Sequence, residues 1–330
     1  MHILIIGVGS IGERHLRNFL RIEGVACSIA EPHAPLRAAT VAQYKVARAY
    51  ANWEDADLRS LQGAVICAPT DVHVPIMTRL VEAGVPVLSE KPIAMKLEGI
   101  AELKETIRRK GTVTGVAFIM RNNPMMVEAR ERMTAGEVGR MLAANYYAGQ
   151  YWPRMRKGWP PGYAQRRETG GGAIPDHLVH MINLLEWFLG PVQAVAAYQR
   201  HMNLEGIESE DYGTVTLRFA GEQVAQLTLC LFQRDASWRL QLIGSEGTLR
   251  LGDGEGPIDV FSDKTGQWAK GCMTAPNRDD LFMLQAQHFL DCIRGKAQPR
   301  CTVAEAERTL RVVLAALESS DGNGGFVTVP

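Results

Sequence analysis

The chain has little of what would commit it to a membrane, to nucleic acid or to an oxidising compartment. Lys+Arg and Asp+Glu each total 36, so the formal net charge is zero, and no basic field exists to gather nucleic acid or an anionic lipid surface. No apolar run approaches the ~20 residues that a membrane-spanning helix needs. The six cysteines, Cys27, Cys67, Cys230, Cys272, Cys292 and Cys301, are scattered with no C-x-x-C pair. Neither a disulfide framework nor a metal site is expected, and a reduced, cytoplasmic protein is the natural reading. An apolar strand begins at His2, so a secretory leader is not expected. Internal repeats and low-complexity tracts are absent too. What is there is 330 residues, 46% apolar and 22% charged, the composition of a soluble globular protein long enough for two domains.

The organising stretch runs from His2 to Glu31. His2-Ile3-Leu4-Ile5-Ile6 is an unbroken apolar run of the kind buried on both faces of a parallel sheet. It leads into Gly7-Val8-Gly9-Ser10-Ile11-Gly12, a G-x-G-x-x-G, and then into a helical pattern stopped at Gly24. A second strand, Val25 to Ala30, ends on Glu31, about twenty residues past the glycines. Gly7 permits a tight turn, Gly9 lets backbone approach a pyrophosphate, and Gly12 lets helix and strand pack closely. Ser10 and Ile11 open the helix, whose free N–H groups and positive dipole end favour phosphate. Glu31 is placed to accept hydrogen bonds from ribose hydroxyls and to repel a 2′-phosphate, which favours NAD over NADP; Arg37 softens that preference. A chance glycine turn in another βαβ unit is the alternative.

Strands and helices continue to alternate through Phe118: helix Leu36–Tyr44, strand Val46–Tyr50, strand Ala64–Ala68, helix Val74–Ala83, strand Val85–Ser89, helix Ile100–Lys110 and strand Thr112–Phe118. This predicts an α/β fold, a doubly wound parallel Rossmann sheet with ligands at the carboxyl ends of its strands. Beyond residue 120 the pattern becomes strands joined by short turns, with helices at Met126–Ala135, Ile174–Leu189, Leu281–Arg294 and Val303–Ser319. That predicts an α+β domain with a mostly antiparallel open sheet. A nucleotide-binding domain over 1–120 and a substrate-binding and oligomerisation domain over 121–330 are expected. Gly252 to Asn277, rich in Gly, Asp and Pro, reads as a surface loop.

Three groups of residues carry chemistry. Lys91 follows a strand next to the nucleotide site; beside an oxidised nicotinamide its proton affinity would fall far enough for it to take a proton from an alcohol. A surface lysine paired with Glu90 is the alternative. Asp176, His180, Asn183 and Trp187 fall at i, i+4, i+7 and i+11 of an otherwise apolar helix that follows Gly170-Gly171-Gly172. Such a stripe faces either a cavity or an internal polar network. His177 lies about 100° away and is expected to be peripheral. Finally, Gly149 to Arg167 concentrates aromatic and guanidinium groups, among them Trp152, Trp159, Tyr163 and Arg166. These suit a polyhydroxylated or anionic ligand, or equally a partner surface.

GVGSIGERH, CAPTDVH, SEKP and GGGAIPDHLVH, in that order, resemble the glucose–fructose oxidoreductase / inositol dehydrogenase (Gfo/Idh/MocA) family. The resemblance covers nearly the whole chain. It implies a Rossmann domain followed by an α+β domain whose open sheet forms the oligomer interface, as a homodimer or homotetramer. It also implies NAD(P)-dependent hydride transfer at a secondary alcohol or ketone of a sugar, cyclitol or sugar derivative. By position, Lys91 matches the lysine of the family's E-K-P, and Asp176 and His180 its helix acid and histidine, which implies catalytic and substrate-binding roles. Pro69, Thr70 and His73 match a cofactor-contacting loop, and Glu90 and Lys91 stand with them. The family's second glycine in the helix motif is Leu178 here, and a frequent acid is Asn183. A looser likeness of the Gly149–Gly172 stretch to bacterial surface-polysaccharide enzymes leans toward an amino, acidic or nucleotide-linked sugar, with Trp152, Tyr163 and Arg166 as substrate contacts. A redox-neutral hydrolase, lyase or epimerase that oxidises and re-reduces its substrate uses the same residues. A ligand-sensing regulator on this scaffold would not need them.

Overall fold

The computed structural model describes residues 1–155, 162, 165–252, 257–271 and 276–330. The chain divides into two compact units, Met1–Asn122 with Pro276–Glu307, and Asn123–Ala275 with Arg308–Pro330.

The first unit is built on six parallel strands. In chain order its elements are β1 (His2–Ile6), α1 (Ser10–Phe19), β2 (Ala26–Ala30), α2 (Ala34–Gln43), β3 (Ala49–Tyr50), β4 (Gly63–Ile66), α3 (His73–Glu82), β5 (Val87–Ser89), α4 (Ile100–Lys110) and β6 (Thr114–Val116). The sheet order β3-β2-β1-β4-β5-β6 reverses direction beside β1, which places the topological switch point at the end of β1. Ile3 pairs with Cys27 on one side and with Gly63 on the other, so β1 is buried on both faces as its apolar run requires.

Pro276–Glu307 returns to this first unit, which differs from a single division at residue 120. The reason is hydrophobic. Ala286, Phe289 and Leu290 on the helix Arg278–Ile293 join Ile3, Ile5, Leu16, Phe19 and Val65 in one core cluster. Burying a Phe or Leu side chain is worth roughly 1.5–3 kcal/mol. Arg17 on α1 donates to both carboxylate oxygens of Asp279, at 2.8 and 2.9 Å, and ties that helix to α1.

The second unit opens with α5 (Pro124–Thr134), β7 (Met141–Tyr151) and the single turn α6 (Trp152–Met155), and continues with α7 (Val179–Leu189) and β8 (Val192–Arg200). There follow β9 (Tyr212–Phe219), β10 (Val224–Cys230), β11 (Phe232–Gly244), β12 (Gly247–Gly252), β13 (Ile258–Ser262) and β14 (Gln267–Lys270). After α8, the Arg278–Ile293 helix of the first unit, come α9 (Val303–Asp321) and β15 (Val327–Thr328). The nine strands form one sheet ordered β14-β13-β12-β11-β7-β10-β9-β8-β15, antiparallel except for the β10–β7 pair. Strands β13 and β14 fall inside the stretch read as a loop. Residues 253–256 and 272–275 of that stretch lie outside the described residues, but its middle is an antiparallel hairpin pairing Phe261 with Trp268. Ile258 and Val260 are buried against β12, so non-local pairing outweighs the turn-rich composition.

Across four strands Tyr147, Thr228, Thr214 and Tyr198 stand in register on one face, and both tyrosines are exposed. The adjacent row, with Leu227, Val215 and Ala197, is buried. The sheet therefore has one packed face and one open face.

Candidate functional site

The nucleotide end of the first unit follows from its glycines. Gly7 has φ +84°, and a Cβ there would lie 2.8 Å from the Cys67 carbonyl oxygen. A Cβ on Gly12 would lie 1.9 Å from the Gly7 carbonyl oxygen, so only glycine lets α1 descend onto the turn. Gly9, the N-cap of α1, has extended backbone, and a Cβ on it would meet nothing within 4 Å. A glycine cap offers no side chain to the first-turn N–H groups of Ser10 and Ile11, which leaves them for an anion. Glu31 at the end of β2 is buried, its carboxylate accepting from Val8 N–H at 3.1 Å and His33 N–H at 2.9 Å. Each oxygen keeps a further lone pair for a ribose hydroxyl. Arg37 donates to the Glu31 and Pro32 backbone carbonyls. An open backbone cradle beside a fixed carboxylate fits an adenine dinucleotide.

Further along the same sheet edge, β5 delivers Glu90 and Lys91. Glu90 is buried; its Oε1 faces His15 Nε2 at 2.8 Å and its Oε2 accepts the Lys91 backbone N–H at 3.0 Å. Burial pushes the Glu90 carboxyl up, but His15 and Lys91 outweigh it and hold it below its ordinary value. Lys91 is half-buried at the strand end. Pro69 and Thr70 stand at the start of a short 3-10 turn after β4. His73, by contrast, is buried with one ring nitrogen 2.8 Å from the Ala68 carbonyl and the other 2.9 Å from that of Pro92. Burial lowers its pKa, opposed by those two carbonyls. Its imidazole braces the two loops that carry Pro69 and Lys91 against each other.

In the second unit Gly170 (φ +95°) and Gly172 (φ +120°) hold backbone that only glycine adopts readily, and a Cβ on Gly172 would meet Glu210 Oε2 at 2.7 Å. They lead into Ala173–Leu178, which is a π-helical turn and not the α-helix expected there. An i→i+5 turn rotates the chain less per residue than an α-turn, so the stripe inferred from α-spacing breaks at its first members. Asp176 is buried, with His177 Nε2 at 3.5 Å from its Oδ2, and the His177 ring sits edge-on to Trp152 at 4.8 Å. His177, expected at the periphery, is thus the neighbour of Asp176. His180 is half-buried one turn on. Asn183 donates to Thr309 Oγ1 at 3.0 Å, and Thr309 donates to Glu186 at 2.6 Å, the internal network that was the alternative to a cavity. Trp187 packs beneath the Arg130 guanidinium, 4.6 Å from its ring centroid.

The aromatic and arginine segment is engaged with the protein itself. Trp152 is 5% exposed, and Tyr151 faces the Arg234 guanidinium at 3.8 Å. Arg166 stands 3.6 Å from Glu208, and Arg167 pairs with Asp321. Trp159 and Tyr163 lie outside the described residues. Among the described residues no group of three or more His, Cys, Asp or Glu side chains is arranged to hold a metal, and no helix is long and apolar enough to cross a membrane. Sequence patterns single out neither His15 nor His177 as a site residue. The signal for His15 is its position three residues past Gly12, on the helix face that packs on the sheet.

Residues 1–118 match the family model described as oxidoreductase family, NAD-binding Rossmann fold, and residues 126–250 that of the GFO/IDH/MocA C-terminal domain. The chain belongs to the Gfo/Idh/MocA oxidoreductase family. Two relatives of this Gfo/Idh/MocA protein span almost its whole length. The scyllo-inositol 2-dehydrogenase (NAD(+)) of Bacillus subtilis is 24% identical over 96% of this chain and 92% of its own. The myo-inositol dehydrogenase Hyg17 of Streptomyces leeuwenhoekii is 28% identical over 100% of both. An oxidoreductase from Agrobacterium radiobacter, solved in complex with NAD+, L-tartaric acid and magnesium, shares the fold with a TM-score of 0.87 at 16% identity, covering 100% of this chain and 98% of that one.

Proposed function

We propose that this NAD-dependent oxidoreductase transfers a hydride between the nicotinamide and a secondary alcohol or ketone of a cyclitol or sugar. The observation that carries the reading is the placement of Lys91 at the carboxyl end of β5, in the same parallel sheet whose β1 end carries the open glycine cradle. The inositol dehydrogenases named above support a polyol as substrate. Gly7, Gly9, Ser10, Ile11 and Gly12 hold the pyrophosphate and Glu31 the adenosine ribose. Bound NAD supplies the acceptor for the carbinol hydride.

The chain's own residues handle the proton. As the carbinol C–H leaves with its electron pair, the O–H bond breaks and its proton passes to His180, assisted by Lys91; the carbonyl forms from the oxygen electrons left behind. Asp176, on the same unit as His180, holds the charge that His180 takes on. His73 acts on the site only through the loops it braces. The substrate class extends to amino, acidic or nucleotide-linked sugars, with Arg166 as a contact. The row of Tyr147 and Tyr198 on the open sheet face supports a homodimer or homotetramer, and the balanced charge a cytoplasmic setting.

Lys91→Met tests the assignment. Turnover of whichever polyol gives NADH should fall by roughly 10²–10⁴-fold, the usual worth of a proton-transfer group, while NAD affinity stays close to that of the parent. Full activity in that variant would refute it.

A further inference from the structure

The Glu90 carboxylate is where titratable groups from four elements converge. His15 comes from α1, Lys91 from the end of β5, and Cys67 and His73, from the end of β4 and the start of α3, both feel its charge. Both of its oxygens are engaged inside the protein, one by imidazole and one by backbone. That arrangement suits Glu90 to be a strut.

His15 is the other end of the strut. It is 1% exposed, its ring stands edge-on to Phe282 at 5.1 Å, and its Nδ1 is buried with no hydrogen-bond partner among the described residues. Its Nε2–H donates to the Glu90 carboxylate, which can only accept. The ring is carried by the helix whose first turn forms the glycine cradle, three residues past the Gly12 that seats that helix on the turn.

We propose that His15 and Glu90 are a positioning pair for Lys91: the cradle helix fixes, through Nε2–H to carboxylate and carboxylate to backbone N–H, the segment from which the Lys91 side chain projects. The inference rests on Lys91 being a proton-handling residue. The interaction with Lys91 is one of those that hold the Glu90 carboxyl down, so removing the carboxylate charge favours the neutral amine at Lys91.

The test uses the full-length protein and three variants. His15→Leu removes the donor at similar volume, His15→Gln restores an N–H near the position of Nε2, and Glu90→Gln keeps the shape and removes the charge. Three quantities are read: kcat and KM for a polyol that supports turnover, NAD affinity by fluorescence titration, and the titration of Lys91 by NMR after reductive ¹³C-methylation, assigned with Lys91→Arg. His15→Leu and Glu90→Gln should lower kcat by roughly tenfold to a hundredfold, the scale of a misplaced catalytic group, with NAD affinity within about threefold. His15→Gln should recover most of the loss. In Glu90→Gln, Lys91 should titrate at lower pH, and the pH–rate profile should move with it.

Values of kcat within about twofold of the parent in both His15→Leu and Glu90→Gln would overturn the inference. So would NAD affinity falling in step with kcat, or His15→Gln behaving like His15→Leu. If His15→Leu does not fold, an unmoved Lys91 titration in Glu90→Gln overturns it alone. An active Lys91→Met removes the proposed function and this inference together; an inactive Lys91→Met beside normal His15 and Glu90 variants removes only this one.

Discussion

Gly9 and Gly12, neighbours in the same cradle, should fail in opposite ways when a methyl is added. On Gly12 it would be 1.9 Å from the Gly7 carbonyl oxygen, 2.9 Å from its carbon and 3.2 Å from the Cys67 Cβ. Since non-bonded contacts settle above about 3.2 Å, α1 must retreat by roughly 1 Å in Gly12→Ala. The obstacles are mostly backbone and cannot rotate away, so the upper part of the 1–3 kcal/mol range for overpacking applies. At about 2–4 °C per kcal/mol for a unit of this size, the apo protein should melt roughly 4–12 °C lower. Gly9 has nothing within 4 Å and φ −61°, ψ −171°, a conformation alanine accepts. Gly9→Ala should therefore melt within about 4 °C of the parent: alanine is the poorer helix cap by roughly 0.5–1 kcal/mol, offset in part by the smaller conformational entropy of its unfolded chain. Its cost appears with ligand: the methyl stands where backbone opens to phosphate, and loss of one good contact there, about 1.4 kcal/mol, is a tenfold weaker NAD affinity. Thermal melts of the apo proteins and fluorescence titrations with NAD read the two effects separately. A Gly12→Ala protein as stable as the parent, or a Gly9→Ala protein with undiminished NAD affinity, would refute the geometry of the cradle.

Two other sites give tests of stability. Glu305 accepts from the buried Arg121 guanidinium at 2.6 Å and from Thr302 N–H at 2.9 Å; burial pushes its carboxyl up, but Thr302 and Arg121 prevail and hold it below the ordinary 4.5. A depressed carboxyl contributes stability above its unfolded value and loses it as pH falls through the folded one. Glu305→Gln should thus cost about 1–3 kcal/mol at neutral pH, and the gap in melting temperature should close in acid; a gap independent of pH would count against the pairing. Thr309→Val, which strips the hydroxyl linking Asn183 to Glu186, should cost about 1–3 kcal/mol in chemical denaturation and leave kcat within about twofold. A large drop in kcat in a folded Thr309→Val protein would instead make that network part of the chemistry.

The residues whose meaning was local were the legible ones. An apolar pentad, three spaced glycines and an acid at the end of the next strand are all short-range signals, and β1, α1, β2 and Glu31 follow from them without reference to the rest of the chain. The hairpin of β13 and β14 was hidden because its pairing with β12 is settled by buried Ile258 and Val260, while its composition is that of turns. The π-turn at Ala173–Leu178 was hidden for another reason: helical spacing assumes one rotation per residue, and nothing in AIPDHL marks the change. The π-turn therefore changes the angle at which Asp176 and His177 stand to the α-helical residues that follow. His73 shows the limit of a motif. Its position says that it belongs near the cofactor loop, and only side-chain geometry shows both ring nitrogens spent on carbonyls.

The return of Pro276–Glu307 to the first unit makes that unit discontinuous in the chain. A ribosome releases all six strands of its sheet long before the helix bearing Phe289 and Leu290, and the whole intervening segment, Asn123–Ala275, emerges in between. Until then the sheet carries a bare apolar flank, the kind of surface that recruits chaperones. The nascent nucleotide-binding unit therefore begins first but must wait for a late helix to close its core.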